Sequence, residues 1–381
     1  MTKPAAPKPE IKGWCPGAHR PMMSGDGLVF RVRPFFGELS VDQAFGLCDL
    51  ADRFGNGILD LTSRANLQIR GVCEKDQATL LKALDDLELI DSNPAAEGRR
   101  NILIAPHWEE GDLTHQLCRD VLQTLPDLPD LPEKMGFAID TGAVACLSSG
   151  SADFRFELTT QGHVMLRADG AQGGRVIPRA EAMRALTELA LWFVQSGGSA
   201  AGRMARHLER ASLPEGWDTA TPRPEDKSLD IGPTQRGTVL GAPFGKIASA
   251  DLRAVLRQTE VASLRLMLGR TLLLRGAFVR KASGFVTAPS RLMDVHACPG
   301  APYCAAASVE TMPLALALAP LTVGSLHVSG CSKGCAYPKA AMTTLVGRDG
   351  RFDLVRQGRP WDEPCQSGLG PDEVKTMGDL G

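Results

Sequence analysis

Two stretches, RPFFGELSVDQAF…LTSRANLQIRGV (33–72) and APFGKIASADLRA…LMLGRTLLLRGA (242–277), repeat one pattern and decide the fold. Each contains a strand, a Phe-Gly turn, an amphipathic helix and strands that close on Leu-x-x-Arg-Gly. Apolar residues recur at helical spacing over 41–51, which predicts that Cys48 lies in the core. A pattern that returns two hundred residues later indicates an internal duplication.

Like segments of a duplicated chain are expected to pair with each other. The two copies would then form one module, and the segments that follow them would form a larger α/β body. The region 203–227, rich in Pro, Asp and Glu, is predicted to be the linker between the halves.

Composition limits the classes of function. The 381 residues are 43% hydrophobic and 23% charged, which suits a globular protein of two or three domains. A net charge of −2 and 5% aromatic residues argue against nucleic-acid or membrane partners. The start, MTKPAAPKPE, is expected to be a polar disordered tail without an export signal, and the apolar run 314–323 is too short to cross a bilayer. A reducing cytoplasm is therefore the expected compartment for the ten cysteines.

Four of these cysteines form two close pairs near the C-terminus. Cys298 and Cys304 stand in ACPGAPYC, and Cys331 and Cys335 stand in GCSKGC. Four clustered thiolates are the ligand set of a [4Fe–4S] cluster, because each iron takes one thiolate. A structural zinc site or buried free thiols are the alternatives, but five residues between the first two cysteines is wide for zinc. If GCSKGC is helical, its two cysteines share one face.

A polar strand is predicted in the first copy. Alternation over 62–70 would project Arg64, Asn66, Gln68 and Arg70 from one face. Two guanidiniums beside two amides would form a cradle for carboxylates, since Arg binds them through two hydrogen bonds. The alternative is an ordinary solvated strand face.

Other candidate residues carry weaker signals, each with a plain structural alternative. Arg99, Arg100 and Lys134 are candidate further cations, and Cys15, His19 and Asp26, within GWCPGAHRPMMSGDGL, are a possible metal set. His296 is a neighbour of the first cysteine pair, and His327 is expected to be a core histidine. Lys333 and Lys339 are cations beside the second cysteine pair.

These motifs resemble a known family. TSRANLQIRG, the Cys-x5-Cys…Cys-x3-Cys pattern and the duplication are similar to the siroheme sulfite and nitrite reductases, over nearly the whole chain. Within that superfamily, GWCPGAHRPMMSGDGL and LVGRDGRFDLVRQGRPWDEP most resemble the precorrin-3B synthase family of aerobic cobalamin biosynthesis.

The resemblance implies an α+β fold in which two half-repeats form a ferredoxin-like module beside an α/β body that binds cluster and tetrapyrrole. The implied units are a tail (1–12), half-repeats (13–74 and 231–284), a first reductase-like domain (75–230) and a second one with the cluster (285–381).

The resemblance also implies an activity, namely oxygen-dependent hydroxylation of precorrin-3A at C20 with lactone formation. The implied cofactors are a [4Fe–4S] cluster, a second iron (mononuclear non-haem, or siroheme) and NADH as ultimate reductant. No dinucleotide fingerprint follows a predicted strand, so a separate electron-donating reductase is expected.

Residue by residue, the resemblance assigns the cluster to Cys298, Cys304, Cys331 and Cys335. It assigns tetrapyrrole and anion contacts to Arg64, to Arg100 and to Lys134, the first of two active-site lysines in the reductases. Gly136 stands in place of the second lysine. That departure weakens the alternative of a siroheme-dependent sulfite or nitrite reductase; a third possibility is a non-catalytic electron-transfer subunit.

Overall fold

The computed structural model describes residues 16–225, 230–258 and 260–377. The first repeat folds where its local signals predict. Helix α1 begins after Ser40, whose side chain accepts the Gln43 N–H, while the Gln43 side chain caps the Ser40 N–H in return. Its apolar face includes Cys48, which is fully buried as predicted.

The described part of the first half contains ten strands and seven α-helices. They are, in chain order, β1 (Met22–Ser24), β2 (Gly27–Val32), β3 (Glu38–Leu39), α1 (Val41–Phe54), β4 (Ile58–Leu61), β5 (Leu67–Val72), α2 (Gln77–Asp86), α3 (Pro94–Arg99), β6 (Ile102–Ile104), α4 (Leu113–Thr124), β7 (Phe137–Asp140), β8 (Phe154–Leu158), β9 (Val164–Ala168), β10 (Arg175–Val176), α5 (Ala182–Gln195), α6 (Gly198–Ala201) and α7 (Met204–Leu208).

The described part of the second half repeats this order with fewer helices. Its elements are β11 (Gly232–Thr234), β12 (Gly237–Gly241), β13 (Lys246–Ala248), α8 (Ser249–Gln258), β14 (Ser263–Met267), β15 (Thr271–Arg275), β16 (Val295–Ala297), α9 (Met312–Leu318), β17 (Leu326–Ser329), β18 (Ala341–Arg348), β19 (Arg351–Gly358), β20 (Gln366–Leu369) and α10 (Pro371–Thr376).

The two repeats form one module by exchanging a strand. One sheet has the order β1-β2-β5-β4-β13 and the other β11-β12-β15-β14-β3, so each repeat lends one short strand to the sheet of the other. Before each lent strand, a Phe in the Phe-Gly turn has positive φ, Phe36 at 56° and Phe244 at 58°. Apolar residues of both repeats share one core, so the predicted duplication and pairing are confirmed.

Two further sheets follow the repeats, and they have the same topology. Their orders are β10-β9-β8-β7-β6 and β20-β19-β18-β17-β16. In each, the first two pairings along the chain are parallel and the last two are antiparallel. Each packs over its own apolar core, and the predicted α+β class is confirmed.

The segment 203–227 differs from the predicted linker. Its described part contains helix α7, and Trp217 is buried in the core of the first mixed sheet. Thr159 and Gly174 bridge to Pro222 and Ala220, so most of this segment is part of the first half. Among the described residues no helix is long and apolar enough to cross a membrane.

Candidate functional site

The four cysteines meet because two strands run in parallel. Cys298 directly follows β16, and Cys331 follows β17 after one glycine. Neighbouring parallel strands end at the same edge of a sheet, so both cysteine loops start from one edge. The Cys335 thiol interacts electrostatically with Cys298, Cys304 and Cys331, which places the four sulfurs in one group.

The backbone around Cys298 is shaped to stabilise a thiolate. Burial raises the pKa of the Cys298 thiol, while N–H groups of Gly330 and Gly300 donate to its sulfur and lower that pKa. The Gly330 N–H lies 3.2 Å from Sγ. Gly300 has φ of 67°, and a Cβ there would lie 2.7 Å from the Thr311 hydroxyl. A residue with a side chain would therefore displace one of the two donors.

The segment GCSKGC is not helical. Residues 331–335 form bends and turns, so Cys331 and Cys335 do not share a helix face. Cys335 is exposed as a whole residue, but its thiol is largely shielded from water. This desolvation raises the pKa of the Cys335 thiol to about 11, although the positive charge of Lys333 acts to lower it.

The donor set fits an iron–sulfur cluster. Within the described ranges no three side chains of His, Cys, Asp or Glu converge closely enough to hold a single ion. A cluster with one thiolate for each iron does not require its ligands to meet at one point. Cys298 and Cys335 each interact with the other three thiols, and backbone N–H groups donate to the Cys298 sulfur, as such a cluster needs.

The predicted polar strand is only half correct. Strand β5 begins at Leu67, and residues 62–66 form a turn in which Ala65 has φ of 52°. The prediction that Arg64, Asn66, Gln68 and Arg70 project from one strand face is therefore wrong. Alternation of polar and apolar residues continues through the turn, so the pattern could not reveal where the strand starts.

The turn instead brings Arg64 to Lys134. The Arg64 guanidinium donates to the Lys134 carbonyl at 3.4 Å and to the Ser151 hydroxyl at 3.0 Å. Arg203 donates to the same hydroxyl at 2.9 Å and is held by the buried Asp153 at 3.0 Å. Two guanidiniums thus meet at Ser151 beside the Lys134 backbone, and sequence reasoning missed Arg203 because it fell in the supposed linker.

A second missed cation lies on the sheet. Gln68 stands between Arg31 on β2 and Asp60 on β4, and Asp60 pairs with Lys246 at 2.7 Å. The Arg31 Nε is buried without a hydrogen-bond partner among the described residues. A buried guanidinium nitrogen without an acceptor is costly, so this side chain is suited to an anionic ligand. The alternation Arg31-Val32-Arg33 is the sequence pattern from which Arg31 could have been predicted to lie on the polar face of the strand.

Arg70 joins the sheet to the cysteine loop. It pairs with Asp26 through Nη2 at 2.9 Å and Nε at 3.1 Å, and it donates to Ser24 at 2.8 Å. Its Nη2 also lies 3.5 Å from the carbonyl oxygen of Tyr303, which Ser24 contacts as well. The polar sheet and the loop 298–304 are therefore adjacent, with Arg70 committed to holding them together.

The remaining cations of the prediction lie apart from this group. Arg100 is buried, donates to Asp91 at 2.7 Å and to the Arg33 carbonyl, and stacks over Phe35. Arg99 pairs with Asp130. The guanidinium of Arg100 is thus engaged by protein groups, and a substrate contact by Arg100 stays a prediction. Lys333 and Lys339 are exposed beside Cys335.

The predicted metal set at the N-terminus does not assemble in the described residues. Cys15 lies outside them. His19 contacts the Asp91 carbonyl at 2.6 Å, while Asp26 is engaged by Arg70. His19 and Asp26 therefore serve separate contacts.

Two histidines stand side by side on the cysteine-bearing strands. His296 on β16 is in register with His327 on β17, and the Tyr337 ring stacks on His296 at 4.0 Å. Burial lowers the pKa of His327 to about 4. His327 is in the core as predicted, but neither ring nitrogen has a hydrogen-bond partner in the described structure, so it is not satisfied there.

Gly136 leaves no room for a side chain. A Cβ at this position would lie 2.8 Å from the Asn101 carbonyl oxygen, where β7 enters beside β6. The lysine that the reductases are expected to carry here would thus need a local rearrangement.

A cavity of about 540 Å³ lies away from the cysteines, between residues 17–20, helix α3 and residues 125–137. Its cations are already paired, Arg20 with Glu133, Arg33 with Glu97 and Arg99 with Asp130. It therefore offers no free charge to an anionic substrate.

Comparisons with known proteins agree with this geometry. Residues 20–87 match the model of the nitrite/sulfite reductase ferredoxin-like half domain. The chain is 30% identical to a precorrin-3B synthase of Sinorhizobium sp, over 91% of this chain and 83% of that protein.

More distant relatives have reductase names. Ferredoxin–nitrite reductases of Synechococcus elongatus and Leptolyngbya laminosa are each 24% identical, over 88% and 96% of this chain and 78% and 87% of theirs. The Mycobacterium tuberculosis NirA protein superposes with a TM-score of 0.62 over 92% of this chain and 79% of its own, at 17% identity, which shows a shared fold.

Proposed function

The chain belongs to the precorrin-3B synthase family and is an oxidoreductase, and we propose that it hydroxylates precorrin-3A at C20 with lactone formation to give precorrin-3B. One atom of O2 would enter the product and the other would leave as water, with two electrons and two protons from the reductant. NADH would supply the electrons through a separate reductase. This places the protein in aerobic cobalamin biosynthesis.

One observation supports the proposal most strongly. The cysteine loop and the polar sheet are adjacent through the contacts of Arg70 and Ser24 with the Tyr303 carbonyl. A redox group held by the cysteines and a tetrapyrrole held on the sheet would therefore be neighbours. Proximity matters because electron transfer and oxygen insertion both need short, fixed separations.

The cations near this junction would bind the acetate and propionate groups of precorrin-3A. Arg31 offers a buried nitrogen without an acceptor, and Arg64 and Arg203 form a second positive group beside the Lys134 backbone. Arginine binds carboxylates through two parallel hydrogen bonds, so these groups would fix the orientation of the macrocycle. Gln68 would add an amide contact between them.

A [4Fe–4S] cluster would be held by Cys298, Cys304, Cys331 and Cys335, and when bound it supplies one-electron transfer. The N–H groups of Gly330 and Gly300 would stabilise the negative charge on its first ligand. A second iron or siroheme stays a prediction, since the described residues do not single out ligands for it. A cytoplasmic location likewise stays a prediction.

Reduction of nitrite or sulfite is the second candidate, because two nitrite reductases are among the relatives. Gly136 weakens it, since the position of the second active-site lysine has no space for a side chain. A reductase would carry siroheme at purification and show a Soret-type band.

Turnover under labelled dioxygen tests the proposal. Protein purified without oxygen is mixed with precorrin-3A, a chemical or enzymatic one-electron donor and 18O2, and the product is analysed by mass spectrometry. We expect a product with one labelled oxygen and no reduction of nitrite or sulfite. Reduction of either anion without change to precorrin-3A would replace the proposal with the second candidate.

A further inference from the structure

Arg270 occupies an unusual position beside the cysteine-bearing strand. It lies in the hairpin between β14 and β15 with φ of 63°, a backbone conformation that is rare for residues other than glycine. Its guanidinium is partly buried and donates to the carbonyl oxygen of Val295 at 2.7 Å and to that of Met293. Val295 is the first residue of β16, the strand that leads to Cys298.

The charge of Arg270 has no close counter-ion. No carboxylate of the described chain lies within ion-pair distance of it, and Asp294 acts on it only at longer range. Burial lowers the pKa of Arg270 to about 10, so the guanidinium stays positive at neutral pH. At the corresponding place in the first hairpin, where φ is also positive, stands the uncharged Ala65.

The position of Arg270 relative to the cysteines makes this charge relevant. Three residues of extended chain separate Val295 from Cys298, which is roughly 10 Å. His296 lies between them on the same strand.

We propose that the partly buried guanidinium of Arg270 raises the reduction potential of the cluster held by the four cysteines, an inference that rests on the proposed function. In the step concerned, the oxidised cluster accepts one electron from the donor and becomes one unit more negative, with no bond made or broken. A fixed positive charge in a water-poor region stabilises the more negative form. Arg270 is a positioning and tuning residue in this account and does not touch substrate.

Lys333 provides a natural contrast. It lies closer to a ligand in sequence, two residues before Cys335, but its side chain is exposed. Water and salt screen an exposed charge, whereas they reach a buried one poorly. The effect of Arg270 should therefore be larger than that of Lys333 and insensitive to ionic strength.

The test is a redox titration of full-length protein purified without oxygen, with dithionite as reductant and the EPR signal of the reduced cluster as readout. We expect Arg270→Gln to lower the equilibrium constant for one-electron reduction about tenfold, a shift of about 59 mV to more negative potential. Arg270→Lys should keep most of the wild-type potential. Arg275→Gln, which removes a paired arginine from the same hairpin, should leave the potential unchanged.

The outcomes separate this inference from the proposed function. A wild-type protein without iron and labile sulfide would overturn both. A wild-type cluster whose potential does not move in Arg270→Gln, or moves equally in Arg270→Lys, would overturn only the role of the charge. If Arg270→Gln fails to take up a cluster, Arg270→Met gives the answer, because it keeps a side chain of similar length without the charge and should shift the potential to a more negative value, and an unchanged potential would overturn the role of the charge. A shift the other way would contradict the inference.

Discussion

The two mixed sheets have the same strand order and directions but end in different chemistry. After β16 and β17 stand the cysteine loops. At the matching edge of the first half, after β7, the buried Asp140 accepts the N–H groups of Cys146 and Leu147 at 2.9 and 2.8 Å. Burial, followed by the charge of Asp140, raises the pKa of the Cys146 thiol, so this cysteine is inert. One strand topology therefore carries two pairs of cysteines, the proposed redox site, in one half and a closed structural loop in the other.

The two sheets of the exchanged module show a second contrast. In the first sheet Asp60 pairs with Lys246 of the lent strand, and in the second Arg265 pairs with Glu38 of the lent strand. The charges are reversed at equivalent register positions. The outer face of the first sheet keeps polar groups around Gln68, whereas that of the second carries the apolar cluster of Val239, Met267 and Leu273. The first face can receive an anionic ligand and the second is built for packing.

The largest expected effect is a loss of iron when a cysteine that follows the second mixed sheet is replaced. Cys298→Ser should lose most of its iron, because it removes a cluster ligand that two backbone N–H groups support. Cys146→Ser is the matched control in the first half and should keep wild-type iron. Iron and labile sulfide are measured after purification without oxygen. Equal iron in both variants would remove the contrast between the two halves.

The reversed ion pairs should differ in their contribution to stability. Glu38→Gln should lower the free energy of unfolding by about 3 kcal/mol, because Arg265 is only 1% exposed and loses its partner. Asp60→Asn should cost about 1 kcal/mol, since the Lys246 side chain is 21% exposed and can reach water. Denaturant unfolding measures both. A larger loss of unfolding free energy in Asp60→Asn than in Glu38→Gln would contradict the view that the second sheet is the one built for packing.

A third test compares the residues that precede β7 and β17. Gly136→Ala should destabilise the protein by about 2 kcal/mol, since the new Cβ would meet the Asn101 carbonyl. Ser325→Ala, at the matching place in the second half, removes only a hydrogen bond from the exposed Met342 N–H. It should cost under about 1 kcal/mol in the same unfolding experiment. Similar losses of stability in the two variants would mean that the backbone around Gly136 can move enough to accept a side chain.

The smallest expected effect concerns the polar face. Arg64→Ala should weaken precorrin-3A binding about tenfold, or about 1.4 kcal/mol, and leave iron content unchanged. Arg236→Ala, which removes a cation paired with Glu109 near the second sheet, is the control and should bind normally. Fluorescence or absorption titration of the tetrapyrrole gives the affinities. Joint loss of iron and binding in Arg64→Ala would show that Arg64 is structural.

Much of the fold could be predicted because its signals are local. The Phe-Gly turns, the capped helix of the first repeat and the spacing of the cysteines each fix a short piece of backbone, and the repetition shows which pieces match. The exchange of β3 and β13 could not be predicted, since two- and three-residue strands carry no periodicity.

The site was predicted less completely, for a related reason. Arg64 and Lys134 stay predictions, and Arg203, which shares the Ser151 hydroxyl with Arg64, comes from a segment whose composition suggested a linker. Arg70 and Arg100 were also candidates for binding an anion. In the structure Arg70 pairs with Asp26 and Arg100 pairs with Asp91, and the sequence gives no sign of either pairing. Whether an arginine can bind a ligand depends on which carboxylates of the folded protein pair with it, and those pairs are visible only in the three-dimensional structure.

The most direct test of the account is whether the cysteines and the polar face form one site. The EPR spectrum of dithionite-reduced protein, purified without oxygen, is recorded before and after precorrin-3A is added. We predict the signal of a reduced [4Fe–4S] cluster that changes shape when the tetrapyrrole binds, and that change should be weaker in Arg64→Ala. A cluster signal that is indifferent to saturating precorrin-3A, or no cluster signal at all, would contradict the central claim.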